Sequence, residues 1–299
     1  MNRKTQIPPA QALRALLETG DLLVTPACWD ALSAKLIQQA GFPLTFMSGF
    51  AVAAARLGLP DTGLISFAEM ADQLRNITAC VSIPVIGDGD TGYGNALNVR
   101  RTVQTYAQAG AACVMIEDQI APKRCGHTKG KQVTSRDEAF ARIRAAVDAR
   151  NEGADIVILA RTDARQDHGL DEAIARARGF REIGADITFV EAPHNTEEMQ
   201  QICAQVDGPC MANLVEGGLT PMLSHEALQK IGYAIAIYPL AGLTASIGAV
   251  NTVLGDIRAG ALKPPGVSFA ELRRIVGFDD YYEAEERYRQ GPLRPAPGP

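Results

Sequence analysis

No stretch of this sequence is basic enough to suggest a nucleic-acid groove, and no block of one charge sign suggests an interaction tail. Lys and Arg number 29 against 34 Asp and Glu, and the net charge of −5 is spread along all 299 residues. Long apolar runs are missing too. The most extended, "YAIAIYPLAGL", is too short to cross a bilayer. The opening "MNRKTQIPPAQALRALLE" has no apolar signal core, so export is not expected. Six cysteines, at 28, 80, 113, 125, 203 and 210, include no C-x-x-C pair. A chain of this size needs no disulfide staples, so they are expected to be reduced thiols in a cytoplasmic protein. No G-x-G-x-x-G follows the first apolar run, which counts against a doubly wound nucleotide-binding sheet.

What is present is an even rhythm. Eight short apolar runs occupy 21–30, 44–49, 83–90, 112–119, 155–163, 186–193, 209–218 and 233–240. Each is apolar on consecutive positions, as in a parallel strand buried on both faces. Amphipathic stretches such as "LNVRRTVQTYAQAG" and "LDEAIARARGFREIGA" lie between them and close on a glycine. Ser135 and Glu138 have the spacing of a capping box ahead of "EAFARIRAAVDAR". Eight strand–helix alternations predict an α/β fold of the (β/α)8 TIM-barrel type over residues 1–262. Residues 263–290 break the rhythm and predict a C-terminal helical extension. Its apolar and aromatic residues, Phe269, Leu272, Ile275, Val276, Phe278, Tyr281, Tyr282 and Tyr288, require burial on the barrel or on another subunit. Residues 291–299 are expected to be disordered.

Each apolar run turns polar at its end. Ser48-Gly49, Asp88-Gly89-Asp90, Glu117-Asp118-Gln119, Arg161-Thr162-Asp163, Glu191 and Asn213 all sit at such ends. In a closed parallel barrel those ends share one rim, the catalytic face. A single polar residue at a strand end is commonly a helix cap. The carboxylates, an arginine and an asparagine together point to a site. Carboxylates gathered at one rim repel unless a cation lies among them. Asp88, Asp90 and Glu117 offer hard oxygen only, which suits Mg²⁺ or Mn²⁺ better than zinc. Arg161 is a natural fork for a substrate carboxylate. Metal and arginine together describe a small oxygen-rich anion such as a 2-hydroxy or 2-oxo acid.

About fifteen residues separate Gln119 from Ser135, long for a strand–helix loop in a barrel and typical of a lid. The segment "APKRCGHTKG" places Cys125 among Lys123, Arg124 and His127, with Gly126 and Gly130 as joints. A loop cysteine is ordinarily inert. Beside three potential cations and above a metal rim, this thiol is expected to be acidic enough to give or take a proton.

With "KRCGH" at 123–127, "MSGFAVAAARLGLPDTG", "DGDTGYGNALNV", "IEDQIAPKRCGH", "ARTDA" and "NLVEGGLTP", the chain resembles the isocitrate lyase/phosphoenolpyruvate mutase superfamily in its lyase branch. That branch holds 2-methylisocitrate lyases, 2,3-dimethylmalate lyase and enzymes acting on 2-alkylmalates and oxaloacetate. The resemblance implies that Asp88 holds Mg²⁺ directly, while Asp61, Asp90 and Glu117 hold its waters. It implies that Ser48, Gly49 and Phe50 bind the 2-oxo acid moiety, and that Arg161, Glu191 and Asn213, with Phe46 and Gly126, line the substrate. Lys123 and His127 would support the lid and Cys125 would donate the proton. A homotetramer exchanging C-terminal helices is also implied. The chain departs from the 2-methylisocitrate lyase pattern at Phe46, at Phe50 and at Gly217-Gly218. These changes suggest a smaller or more apolar substrate than a tricarboxylate.

The function expected is a Mg²⁺-dependent carbon–carbon lyase releasing pyruvate or another 2-oxo acid. An oxaloacetate hydrolase or decarboxylase is the first alternative. A phosphonate mutase is disfavoured by the intact "KRCGH". A non-enzymatic carboxylate-binding protein, the reading from another class, has no need of an acidic thiol under a lid.

Overall fold

The computed structural model describes residues 7–126, 130–261, 263 and 266–289. All eight apolar runs form strands: β1 Leu23–Cys28, β2 Thr45–Met47, β3 Val85–Asp88, β4 Cys113–Glu117, β5 Val157–Thr162, β6 Ile187–Val190, β7 Met211–Asn213 and β8 Ile235–Tyr238. Every pairing is parallel and joins neighbours in sequence, and β1 also pairs with β8. A parallel bridge from Thr188 to Cys210 links β6 to the start of β7 and completes the ring. The architecture is therefore a (β/α)8 barrel, and the doubly wound alternative is excluded by this closure.

The continuous apolar runs are buried on both sides, as their composition requires. Leu23, Phe46, Ile86, Met115, Leu159, Phe189, Met211 and Ile235 fill the interior with Leu13 of the helix Pro9–Glu18. Alternate strand residues such as Val114, Ile116 and Ile158 face outward against the surrounding helices. Burying one such side chain contributes about 1.5–3 kcal/mol. Side-chain caps start many helices: Asp30, Ser48, Ser66, Asn95, Asn195 and Ser224 each accept a backbone N–H of the first turn. Ser135 caps the helix Arg136–Asn151 by accepting from Glu138 N. The expected reciprocal half of that box gives way to a helix-face ion pair, because the Glu138 carboxylate accepts from Arg142 Nε at 3.2 Å.

By internal contacts the chain forms two compact units, residues 1–246 and 247–299. In the second unit, the apolar spacing over 268–290 resolves into two helices, Phe269–Val276 and Phe278–Arg289. Gly277, at φ 89°, breaks them apart. Phe269 is 74% exposed, Tyr281 64% and Tyr288 88%. Ile247, Val250, Leu254 and Ile257, at helical spacing, are also exposed.

Candidate active site

The acidic strand ends do meet at one rim. Ser48 directly follows β2 and caps the helix Gly49–Leu57. Gly49 N donates to Asp88 Oδ2 at 3.0 Å. A Cβ on Gly49 would stand 2.6 Å from that oxygen, so only glycine lets the helix start meet the end of β3. Asp90 adopts φ 47°, a left-handed conformation that costs a non-glycine residue about 1–2 kcal/mol. That turn directs Asp90 N to Asp88 Oδ1 at 3.1 Å and Asp90 O to Glu117 N at 2.9 Å. The strained residue thereby stitches β3 to β4 at the rim. Lys123 Nζ, from the long loop, sits 2.5 Å from Asp61 Oδ1 and 2.9 Å from Asp90 Oδ1.

Burial and the neighbouring Asp90 charge push the Asp88 carboxyl up to about 6, with Lys123 opposing them. Burial likewise carries Glu117 well above the usual carboxylate range, against the pull of Arg161. Burial alone would lower Lys123, but the charges of Asp90 and Asp61 hold it well above the ordinary lysine value. The Lys123 ammonium therefore stays charged among the acids.

A second cluster surrounds Arg161, which faces Glu117 across β4 and β5. Its fork is occupied: Nε donates to Asp163 Oδ2 at 2.8 Å and Nη2 to Asp163 Oδ1 at 2.9 Å. Nη2 also lies 3.0 Å from Glu191 Oε2, and the guanidinium stacks 5.2 Å above the Phe189 ring. Arg161 and Lys131 hold Asp163 well below the usual carboxylate range despite its burial. Glu191 is fixed in turn by Asn213 Nδ2 at 3.2 Å and by Ala192 N at 2.9 Å, with Ala192 itself at φ 55°.

The loop after β4 is strapped to the barrel. Gln119 holds Arg124 through two bonds of 2.9 Å, from its amide to Arg124 O and from Arg124 N to its carbonyl. Gln119 and Val133 form an antiparallel bridge, and Arg142 donates to Gln119 O at 2.8 Å. Asp118 ties the base together. It accepts from Asp163 N, Thr162 Oγ1 and Arg176 Nη1 at 2.7–3.0 Å. The loop stands over the site, for a Cβ added to Gly126 would collide with Arg161 Nη2 and Glu191 Oε2.

These groups line a narrow cavity that opens to solvent. Of the residues expected from sequence, Phe46, Ser48, Phe50, Asp61, Asp88, Lys123, Cys125, Gly126, Arg161, Glu191 and Asn213 line it. Gly49, Asp90 and Glu117 stand behind this lining and orient it through the bonds given above. His127 lies outside the described residues. Cys125 is half-buried and faces the cavity.

Two of the expected substrate contacts already have protein partners. The N–H groups of Ser48 and Gly49 already donate to Cys28 O and Asp88 Oδ2. This segment thus offers an anion the positive end of a helix rather than those two amides. Arg161 brings charge to the cavity, and its Nε and Nη2 are oriented by Asp163. Met115, Phe189, Val215, Ile237, Pro239 and Leu240 form an apolar wall that the sequence does not reveal, since an apolar residue carries no mark of facing inward. Gly217-Gly218 do not line the cavity.

The donor set suits a hard divalent cation. Asp61, Asp88, Asp90 and Glu117 offer only oxygen, and Glu117 Oε1 is buried with no hydrogen-bond partner. Among the described residues no three acidic, histidine or cysteine side chains form a ready-made ligand shell. An ion here would keep several waters, as Mg²⁺ does.

Comparison with known proteins bears on the chemistry. The family described as phosphoenolpyruvate phosphomutase matches residues 13–258. The 2,3-dimethylmalate lyase of Eubacterium barkeri is 40% identical over 286 residues, covering 94% of this chain and 99% of that protein. The 2-methylisocitrate lyase of Aeropyrum pernix is 39% identical over 277 residues, 91% of this chain and 89% of that one. A solved structure of oxaloacetate acetylhydrolase with the inhibitor 3,3-difluorooxalacetate superposes with a TM-score of 0.91 at 36% identity, covering 94% and 97% of the two chains.

Proposed function

The chain belongs to the phosphoenolpyruvate mutase/isocitrate lyase superfamily and is an enzyme of its lyase kind, and from that premise we propose a Mg²⁺-dependent carbon–carbon lyase acting on a 2-hydroxy acid with a second carboxylate on the adjacent carbon. The products are a 2-oxo acid such as pyruvate and a carboxylic acid. One observation carries the reading. Cys125 lines the same cavity as Asp88, Asp61, Arg161 and Glu191, and its neighbour Gly126 packs directly against Arg161 and Glu191.

Asp88 would hold the metal directly, with Asp61, Asp90 and Glu117 holding its waters. When bound, Mg²⁺ supplies the positive charge that orients a 2-hydroxycarboxylate and stabilises negative charge on its C2 oxygen. The helix start at Ser48–Phe50 faces the same end of the substrate with its positive pole. The C2 hydroxyl gives its proton to a carboxylate of the acidic rim, C2=O forms as the C2–C3 bond breaks, and Arg161, kept charged and rigid by Asp163 and Glu191, stabilises the departing enediolate. Cys125 then gives its proton to the carbon of that fragment. A general acid of this kind contributes on the order of 10²–10⁴ in rate. Substrate bound beneath the loop would limit the water able to protonate the carbanion out of turn.

Phe46, Phe50, Val215, Pro239 and Leu240 make much of the cavity wall apolar. That wall favours a dicarboxylic acid with small apolar C3 substituents, of the 2-alkylmalate or dimethylmalate type, over a tricarboxylate. The likeness to oxaloacetate acetylhydrolase supports a second reading, hydrolysis of oxaloacetate. The exposed apolar stripes of the second unit suit exchange of C-terminal helices between copies, and a homotetramer is the assembly proposed.

The test is a substrate panel. The protein is incubated with Mg²⁺ and 2,3-dimethylmalate, 2-alkylmalates, 2-methylisocitrate or oxaloacetate, and products are followed by chromatography. Pyruvate or another 2-oxo acid with a carboxylic acid co-product supports the lyase. Oxalate and acetate from oxaloacetate select the hydrolase. Inertness toward the whole panel overturns both.

A further inference from the structure

Lys131 has an entirely buried side chain, a rare setting for a lysine. Its ammonium donates to two groups of different origin: Gly126 O at 2.6 Å and Asp163 Oδ1 at 2.8 Å. Gly126 follows Cys125 and sits so close to Arg161 and Glu191 that no side chain fits there. Asp163 grips Arg161 at two points, and its own N–H is held by Asp118 Oδ1 at 2.9 Å. One cation thus links the carbonyl beside the thiol to the carboxylate that aims the arginine.

We propose that Lys131 is a positioning residue that sets Cys125 against Arg161. A plainer role would be to neutralise Asp163. Arg161 already does so through two bonds, and neutralisation does not require contact with the Gly126 carbonyl, the shorter of the two bonds Lys131 makes. Charge-assisted bonds of this kind are about twice as strong as neutral ones. Losing this one frees the Cys125–Gly126 backbone while leaving the Arg161–Asp163 pair in place. The inference rests on reading Cys125 as the group that works in the cavity, so its test uses thiol chemistry and not the reaction.

The full-length protein and its Lys131→Met and Lys131→Arg variants are treated with limiting iodoacetamide at fixed pH. Alkylation of each cysteine is followed by peptide mass spectrometry, with Cys80 and Cys203 as half-buried references. Circular dichroism and a thermal melt confirm the fold. In K131M, Cys125 is expected to react roughly ten to a hundred times faster, the opening expected when a bond to a charged group is lost. Cys80 and Cys203 keep their rates, and K131R stays near wild type. A folded K131M whose Cys125 reacts within twofold of wild type overturns the proposal, as does a parallel rise of all three thiols. Should K131M not fold, Asp163→Asn removes the anionic end of the link and must accelerate Cys125 selectively, or the proposal fails. Selective acceleration together with an inert substrate panel would overturn the lyase reading and leave the role of Lys131 standing.

Discussion

Gly126→Ala tests whether the loop must touch the arginine cluster. The added methyl collides with Arg161 Nη2 and Glu191 Oε2. Neither neighbour is a loose side-chain end. Arg161 is gripped at two points by Asp163, and Glu191 is held by Asn213 and by Ala192 N. The loop backbone has to yield instead, stretching the Lys131 bond to Gly126 O. Overpacking of this kind costs about 1–3 kcal/mol. A displacement of about 1 Å at a reacting group lowers the rate by roughly 10²-fold. The barrel core lies elsewhere, so the fold should persist with a melting temperature lowered by about 2–12 °C, at about 2–4 °C per kcal/mol for a domain of 150–250 residues. The assay is release of 2-oxo acid from the best panel substrate, coupled to NADH oxidation by lactate dehydrogenase, alongside a thermal melt. A G126A protein with wild-type melting and kcat/KM within threefold of wild type would falsify the view that this closed contact belongs to the working site.

Cys125→Ser should lower kcat by about 10²–10⁴-fold with little change in Mg²⁺ affinity, measured by the same coupled assay and by calorimetry. Mg²⁺ affinity should itself follow the Asp88 carboxyl, raised to about 6. A proton and the metal compete for it, so affinity is full above that value and weakens as pH falls through it. Between pH 8 and pH 5 the apparent Kd should rise by roughly tenfold in calorimetric titrations, and a flat profile would remove Asp88 as the direct ligand. Deleting residues 268–299 should shift the protein to a smaller assembly in light scattering. An unchanged mass would show that these helices do not join the subunits.

The eight strands were legible because each apolar run is continuous, and only strands buried on both faces need that pattern. The polar residue ending a run was legible for a related reason. In a closed parallel barrel, chain position along the strand translates directly into height, so Asp88, Glu117, Arg161 and Asn213 had to share a rim. Direction around the strand axis is not written in the same way. Met115 and Ile116 are equally apolar, yet Met115 lines the cavity and Ile116 packs outward. Lys131 was illegible for a different reason. A lysine between Gly130 and Gln132 reads as solvated, and its burial follows from Gly126 and Asp163 closing on it from two sides. The break at Gly277 was present in the letters, as a glycine inside an apolar helical pattern, but the surrounding periodicity masked it.

The charged residues buried among the described part of the chain give the rim its physical character. Asp61, Asp88, Asp90, Glu117, Asp118, Asp163 and Glu191 are the buried acids, against Lys123, Lys131, Arg142, Arg161 and Arg176. Seven carboxylates and five cations leave an excess of two negative charges in a poorly solvated rim. Such an excess is relieved either by proton uptake or by binding a cation. The division is uneven in space. The Arg161 side is nearly satisfied, with Asp163 held well below its usual range, whereas Asp88 and Glu117 are pushed upward. The unrelieved charge therefore lies with the oxygens of Asp88 and Glu117, beside the helix start at Gly49. A divalent cation there would cancel the excess and let both carboxylates ionise. An anionic substrate would then meet a neutralised rim, with Arg161 and the Cys125 loop on its far side.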